Sequence, residues 1–294
     1  MVTPFLLLEL LRKRRPLLES FAAAASVAVS PVLFIISGFH GNTDPVFIMF
    51  SLLSVYLLVE RRAPVMAGLS LTIALSVKIV PIVIVPTLIA FALSAGWRFA
   101  LRFGLSSGAL LALLWGPVIL RVWRRFRVDV LGYSGRGHQW GVAELLRRAG
   151  EGSSVTWIEG PGRFVVVLVV AGLPVALVLW RPQRVVEASA LALTGLLALS
   201  PAFATQYLAW AVAPAYLLSF GGATAFNVIA GCLLIEVYTR WSGGFPWYLA
   251  KADDLTRGEV IAALVVWATL LTVVVLGIRR SVMSPVEDVP SQKN

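Results

Sequence analysis

In GFHGNTDPVF, residues 38–47, the polar side chains His40, Asn42, Thr43 and Asp44 interrupt sequence that is apolar on both sides. An imidazole and an amide beside a helix start could hold an anionic or hydroxyl-rich ligand. A plainer reading is equally open, because Asp44 precedes Pro45: Asp44 caps a helix and Pro45 fills its first position. Gly38 and Gly41 would let backbone approach a ligand closely.

Three other stretches carry polar chemistry. Lys78 stands alone in SLTIALSVKIVPIVIVP, where it either snorkels to an interface or contacts a phosphate at bilayer depth. As one helix, residues 63–95 would run about 50 Å, too long for a single crossing. Lys78 is therefore expected at the tip of a helical hairpin, with Pro81 stiffening the return. The stretch RVWRRFRVDVLGYSGRGHQWGVAELLRRAG, 121–150, interleaves arginines with Trp123, Phe126, Tyr133 and Trp140. Arginine forks suit phosphate oxygens, and aromatic rings suit sugar faces or the membrane interface. Arg136, His138 and Trp140 are its candidates for ligand contact; the plainer reading is an interfacial helix near 120–128 drawn to anionic lipid. In PAFATQYLAW, 201–210, Gln206 and Tyr207 sit at a helix start with Trp210 a turn further on. They form either an aromatic belt or a site where the Gln206 amide bonds a sugar hydroxyl.

Other chemistries find no residues. The chain has no GxSxG, HExxH, Walker loop or CxxC, and only two histidines and one cysteine. A histidine- or cysteine-based metal site and an intrachain disulfide are excluded. No residue pattern calls for a particular cofactor, although Asp44 with other oxygens could hold a divalent cation. Cys232 lies in an apolar run and is expected to be a small core residue.

The elements that must position these residues follow from composition. Of 294 residues, 59% are hydrophobic and 14% charged, more apolar surface than a soluble fold of this size buries. Repeated apolar runs without period-two alternation predict an all-α, polytopic membrane protein. The runs are 18–37, 45–59, 63–77, 79–95, 103–119, 164–180, 185–200, 203–220, 222–240 and 259–277, about ten transmembrane helices in a single domain over 1–284. Residues 285–294 read as a polar, disordered tail. FLLLELL is too short for a signal peptide, and its basic cluster follows it.

Alternation through these segments puts Arg12–Arg15, Arg61, Arg62, Arg98, Arg102, Arg181, Arg184, Arg279 and Arg280 on one side, which the positive-inside rule makes cytoplasmic. Both termini then lie on the cytoplasmic side of the cell membrane. The long loop 121–163 falls on the extracytoplasmic side with eight arginines, against the rule, though long loops weigh less in it. His40, Asp44, Lys78 and Gln206 share that side. The net charge of +10 then reflects orientation and anionic lipid, with no nucleic acid implied.

In order along the chain, HGNTDPVF, AGLSLTIALSVKIVPIVIVP, VLGYSGRGHQWG and SPAFATQYLAWAVAP resemble the polyprenol-phosphate-dependent GT-C glycosyltransferases. The likeness is to bacterial mannosyltransferase-like members and the GPI mannosyltransferase catalytic subunit, and it covers most of residues 20–220. It implies a GT-C-like fold and transfer of a sugar, expected to be mannose, from a polyprenyl-phosphate donor on the extracytoplasmic face. An acidic residue would be the base, and cations such as Lys78 would stabilise the phosphate leaving group. The family's upstream helix pair and its acidic loop have no counterpart, as though the chain entered near the cytoplasmic end of the second helix. A start codon placed too far downstream, a split enzyme or a shortened homologue would each account for that. Asp44 is the acid of the HGNTDP stretch; Asp129, Glu144, Glu151, Glu159, Asp253 and Asp254 are weaker candidates.

Three readings follow. The first is the glycosyltransferase. The second is a non-catalytic partner subunit or degenerate homologue that binds lipid-linked sugar beside a second membrane chain. The third is a lipid or sugar-lipid transporter, against which stand the one-sided polar residues and the lack of an internal repeat.

Overall fold

A computed structural model describes residues 2–131, 139–248, 251 and 254–283. Its helices are α1 (Val2–Leu11), α2 (Leu17–Ala28), α3 (Pro31–Leu33), α4 (Asp44–Val59), α5 (Pro64–Val77), α6 (Val85–Ser94), α7 (Trp97–Arg125), α8 (Gly141–Arg148), α9 (Gly152–Glu159), α10 (Gly162–Trp180), α11 (Val185–Leu199), α12 (Leu208–Leu218), α13 (Phe220–Ser242) and α14 (Arg257–Met283). No strand occurs among the described residues. Among the described residues, five stretches are long and apolar enough to cross a membrane: Leu17–Phe39, Trp97–Asp129, Gly162–Trp180, Phe220–Ser242 and Arg257–Met283. The all-α membrane class therefore stands, and the shorter helices 44–59, 64–77 and 80–94 are apolar companions.

Local sequence explains the breaks. Prolines open α3, α4, α5 and α6 within their first two residues, where a missing N–H costs nothing. Extended backbone at Lys78 ends α5, and a 3-10 turn over Val80–Ile84 leads into α6. Lys78 thus lies at the break between α5 and α6, as expected, but the two helices do not pack on each other as a hairpin. Ser219 caps α13 by accepting the Gly222 N–H, and Gly243 ends it in the left-handed region at φ +75.

Close packing uses small residues. A Cβ on Gly68 would lie 2.2 Å from Ser106 Oγ and 2.5 Å from the Phe103 carbonyl, so glycine is what lets α5 meet α7. Hydroxyls stitch α5 to both neighbours: Ser54 of α4 donates to the Ala67 carbonyl and Ser70 to that of Phe50, while Thr72 donates to that of Ser107 on α7.

Side-chain contacts sort the junctions into two ends. At one, Lys13 and Arg14 pair with Glu60, Arg15 reaches the Leu217 and Leu218 carbonyls, and Arg181 bonds the Ser281 carbonyl. At the other, Lys78 meets Asp44, and Arg240 meets Glu259.

Several expectations change. Val2–Leu11, absent from the ten segments, is a helix whose Leu6, Leu7, Leu10 and Leu11 are buried. The segment 103–119 is the middle of a longer helix from Trp97 to Arg125. It is non-helical at Val122, beyond Pro117, and continues as a π-helical turn to Leu131. The interfacial helix read near 120–128 is thus its end. Cys232 faces outward from α13 instead of into the core. Residues 285–294 lie outside the described residues.

Candidate functional site

α4 starts where a π-helical turn over Phe34–Phe39 gives way to the 40–43 link, with Gly41 left-handed at φ +68. The capping role expected of Asp44 falls to its neighbour: Asn42 Oδ1 accepts the Asp44 N–H at 2.8 Å. Asp44 is itself the first helical residue, and its carboxylate is spent elsewhere.

That carboxylate is 1% exposed. Oδ1 accepts from Lys78 Nζ at 2.6 Å, and Oδ2 from Trp210 Nε1 at 2.7 Å. Residues 34 and 166 positions further along the chain thus meet at one acid. The Lys78 ammonium lies 4.9 Å from the ring centroids of both Tyr207 and Trp210, and 6.0 Å from that of Phe47. Tyr207 and Trp210 stack with centroids 4.1 Å apart. Aromatic faces suit a cation without neutralising it, so one carboxylate balances one ammonium here.

A second polar group adjoins the first. His40 Nδ1 bonds the Tyr238 hydroxyl, and that hydroxyl lies 3.4 Å from Thr205 Oγ1. Burial lowers the His40 pKa below its ordinary 6.5, against the Asp44 charge, which raises it. The imidazole is therefore neutral at neutral pH.

Lys78 also lines a pocket of about 540 Å³. Its walls are apolar, with Leu75, Ile79, Ile82, Leu111, Trp115 and Ile119 among them, and its other charged residue is Asp129. Apolar walls edged by two polar groups suit the tail of an amphiphile, and among the described residues the lining carries one ammonium, already paired with Asp44, and one exposed carboxylate.

The remaining expectations divide. Gln206 is partly buried, and its side chain makes no hydrogen bond among the described residues. Trp140 does not offer a ring to a ligand: it is fully buried, stacked on Phe203 with centroids 4.3 Å apart, and donates Nε1–H to the Leu197 carbonyl. It fastens α8 to α11. Arg147 and Arg148 pair with Glu144, which is thereby a structural acid. Arg136, His138 and Asp253 lie outside the described residues. No group of three histidine, cysteine or acidic residues suited to a metal occurs among the described residues.

No family model, curated protein or solved structure matches this chain. Function has to be argued from the geometry.

Sequence reasoning missed the partnership of Trp210 with Asp44 and of Tyr238 with His40. For Tyr238 there was no signal, since it sits inside an apolar run nearly 200 residues from His40.

Proposed function

We propose that this protein is a membrane glycosyltransferase that moves a sugar, mannose in the first instance, from a polyprenyl-phosphate donor to an acceptor hydroxyl. In this reading the chain is GT-C-like and crosses the plasma membrane about ten times, the shorter apolar helices included. Both termini are cytoplasmic, and the Lys78 end faces outward. The observation that carries it is Lys78, held by Asp44 and two rings and lining an apolar pocket. A polyprenyl chain fits such walls and its phosphate fits such an ammonium.

In the reaction the acceptor oxygen forms a bond to the anomeric carbon while the bond from that carbon to the phosphate oxygen breaks. The hydroxyl proton passes to a base, and polyprenyl phosphate leaves with the bonding electrons. Lys78 stabilises the charge that develops on the leaving phosphate. Asp44, expected from sequence as the base, is enclosed with both oxygens engaged, and acts here as the positioning residue for Lys78. Asp129, exposed on the same pocket, takes the proton.

The test is consumption of labelled polyprenyl-phosphate mannose in proteoliposomes. Wild type should release polyprenyl phosphate, with Lys78→Ala and Asp129→Asn each slower by about a hundredfold or more. Unchanged turnover in both variants would remove the site assignment. The enclosure of Asp44 favours a second reading, a non-catalytic subunit that binds lipid-linked sugar beside another chain. Donor binding without turnover, with turnover restored by a co-purifying membrane protein, would establish it.

A further inference from the structure

A second cleft lies toward the opposite end. It holds about 290 Å³ between α10, α11 and α14, walled by Val170, Leu173, Leu177, Gly195, Val274 and Ile278, with Trp180 and Val282 also lining it. From Val169 to Trp180 it follows α10 for about 17 Å, close to half of a hydrocarbon core of about 30 Å. That is the depth of one leaflet. The groove is apolar along this length, and charge gathers where it ends.

The residues following Trp180 and preceding Val282 meet there: Arg181 donates Nη1–H to the Ser281 carbonyl at 3.3 Å, and its guanidinium lies 4.1 Å from the Trp180 ring centroid. Arg184 pairs with Glu187 at 3.2 Å, and Arg280 lies within electrostatic range of both. Three buried polar atoms at this end have no partner: Arg184 Nε, Ser281 Oγ and Glu187 Oε2. Such atoms are costly unless something bonds them. Two are donors suited to phosphate oxygens, and the third is an acceptor suited to a hydroxyl.

We propose that this groove binds one anionic phospholipid whose headgroup carries both a phosphate and hydroxyl donors. One acyl chain lies between α10 and α14. The phosphate sits among Arg181, Arg184 and Arg280, and a headgroup hydroxyl donates to Glu187. Arg184, whose side chain is 16% exposed, reorients to open its Nε to the headgroup. Charge complementarity selects this occupant over a zwitterionic lipid, and the one-leaflet depth selects a lipid over a soluble anion. The site does not depend on the sugar-transfer reading.

Native mass spectrometry of the full chain in detergent tests this, with phosphatidylglycerol, phosphatidylcholine of the same chains, and glycerol 3-phosphate as probes. Phosphatidylglycerol should be retained at least tenfold more tightly than phosphatidylcholine, and glycerol 3-phosphate not at all. Arg184→Gln should weaken phosphatidylglycerol about tenfold. Leu173→Trp, at a wall residue that is 61% exposed and tolerant of size, should block both lipids. Equal retention of the two lipids would overturn the headgroup assignment even if Arg184→Gln fails to fold. Undiminished binding in Leu173→Trp, or binding of glycerol 3-phosphate alone, would overturn the groove.

Discussion

Asp44 and Glu60 close the two ends of α4, and both are enclosed carboxylates paired with cations, with side chains 2% and 7% exposed. Asp44 stands at the helix N-terminus, where the backbone dipole favours a negative charge, and it has one cationic partner. Glu60 stands at the C-terminus, where the dipole opposes it. It has two partners, Lys13 at 2.7 Å and Arg14 at 2.6 Å, the latter an ion pair without hydrogen-bond geometry. The extra cation offsets the unfavourable end and ties α1 to α4. At the Asp44 end no second cation is needed, and Lys78 keeps a face toward aromatic rings and an apolar pocket. One pair ties two helices together; the other leaves its ammonium at the edge of a pocket.

Removing the cations should separate the two ends most sharply. Lys78→Ala strands Asp44 as an enclosed charge and should cost about 3–5 kcal/mol. Lys13→Ala removes a cation that is 54% exposed, leaves Arg14 in place, and should cost no more than about 1 kcal/mol. Detergent thermal unfolding reads both, and equal losses would erase the distinction. Trp210→Phe removes a hydrogen bond to a charged acceptor and should cost about 1.5–3 kcal/mol. A neutral result there would mean that Trp210 packs without anchoring Asp44.

Acid should act on the two ends in different windows. His40 has a pKa below 6.5 in the folded protein, so the unfolded chain binds its proton first. Its stabilisation is complete above pH 6.5 and is lost as pH falls through the folded value. At Glu60, burial pushes the pKa up, but Lys13 and Arg14 together outweigh it and bring the carboxyl below its ordinary 4.5. Its contribution persists to lower pH, complete above 4.5 and lost as pH falls through the folded value. A His40→Gln variant should lose the upper window alone, the smallest of these effects, read from unfolding midpoints across pH.

Much of this arrangement was legible because apolar length and basic junctions are properties of the chain itself. The chain break at Lys78, and its place on the same side as Asp44 and Tyr207, followed from the length of the apolar run and alternation through the segments. The role of Asp44 did not. Sequence marks an acid before proline as a cap, yet Asn42 takes that bond and frees the carboxylate for partners 34 and 166 residues away. Trp140 likewise reads as a loop aromatic and is found under Phe203, because tertiary packing decides which face of a ring is left open. Cys232 was misplaced for a related reason: in lipid, an apolar run does not tell inward from outward.

The central claim is that the Lys78 end receives a lipid phosphate. Its most direct measurement is binding of a short-chain polyprenyl phosphate to the full chain in excess phosphatidylglycerol, comparing wild type, Lys78→Gln and Lys13→Gln. The account predicts binding at least tenfold weaker in Lys78→Gln and unchanged in Lys13→Gln. Equal binding in wild type and Lys78→Gln would contradict it.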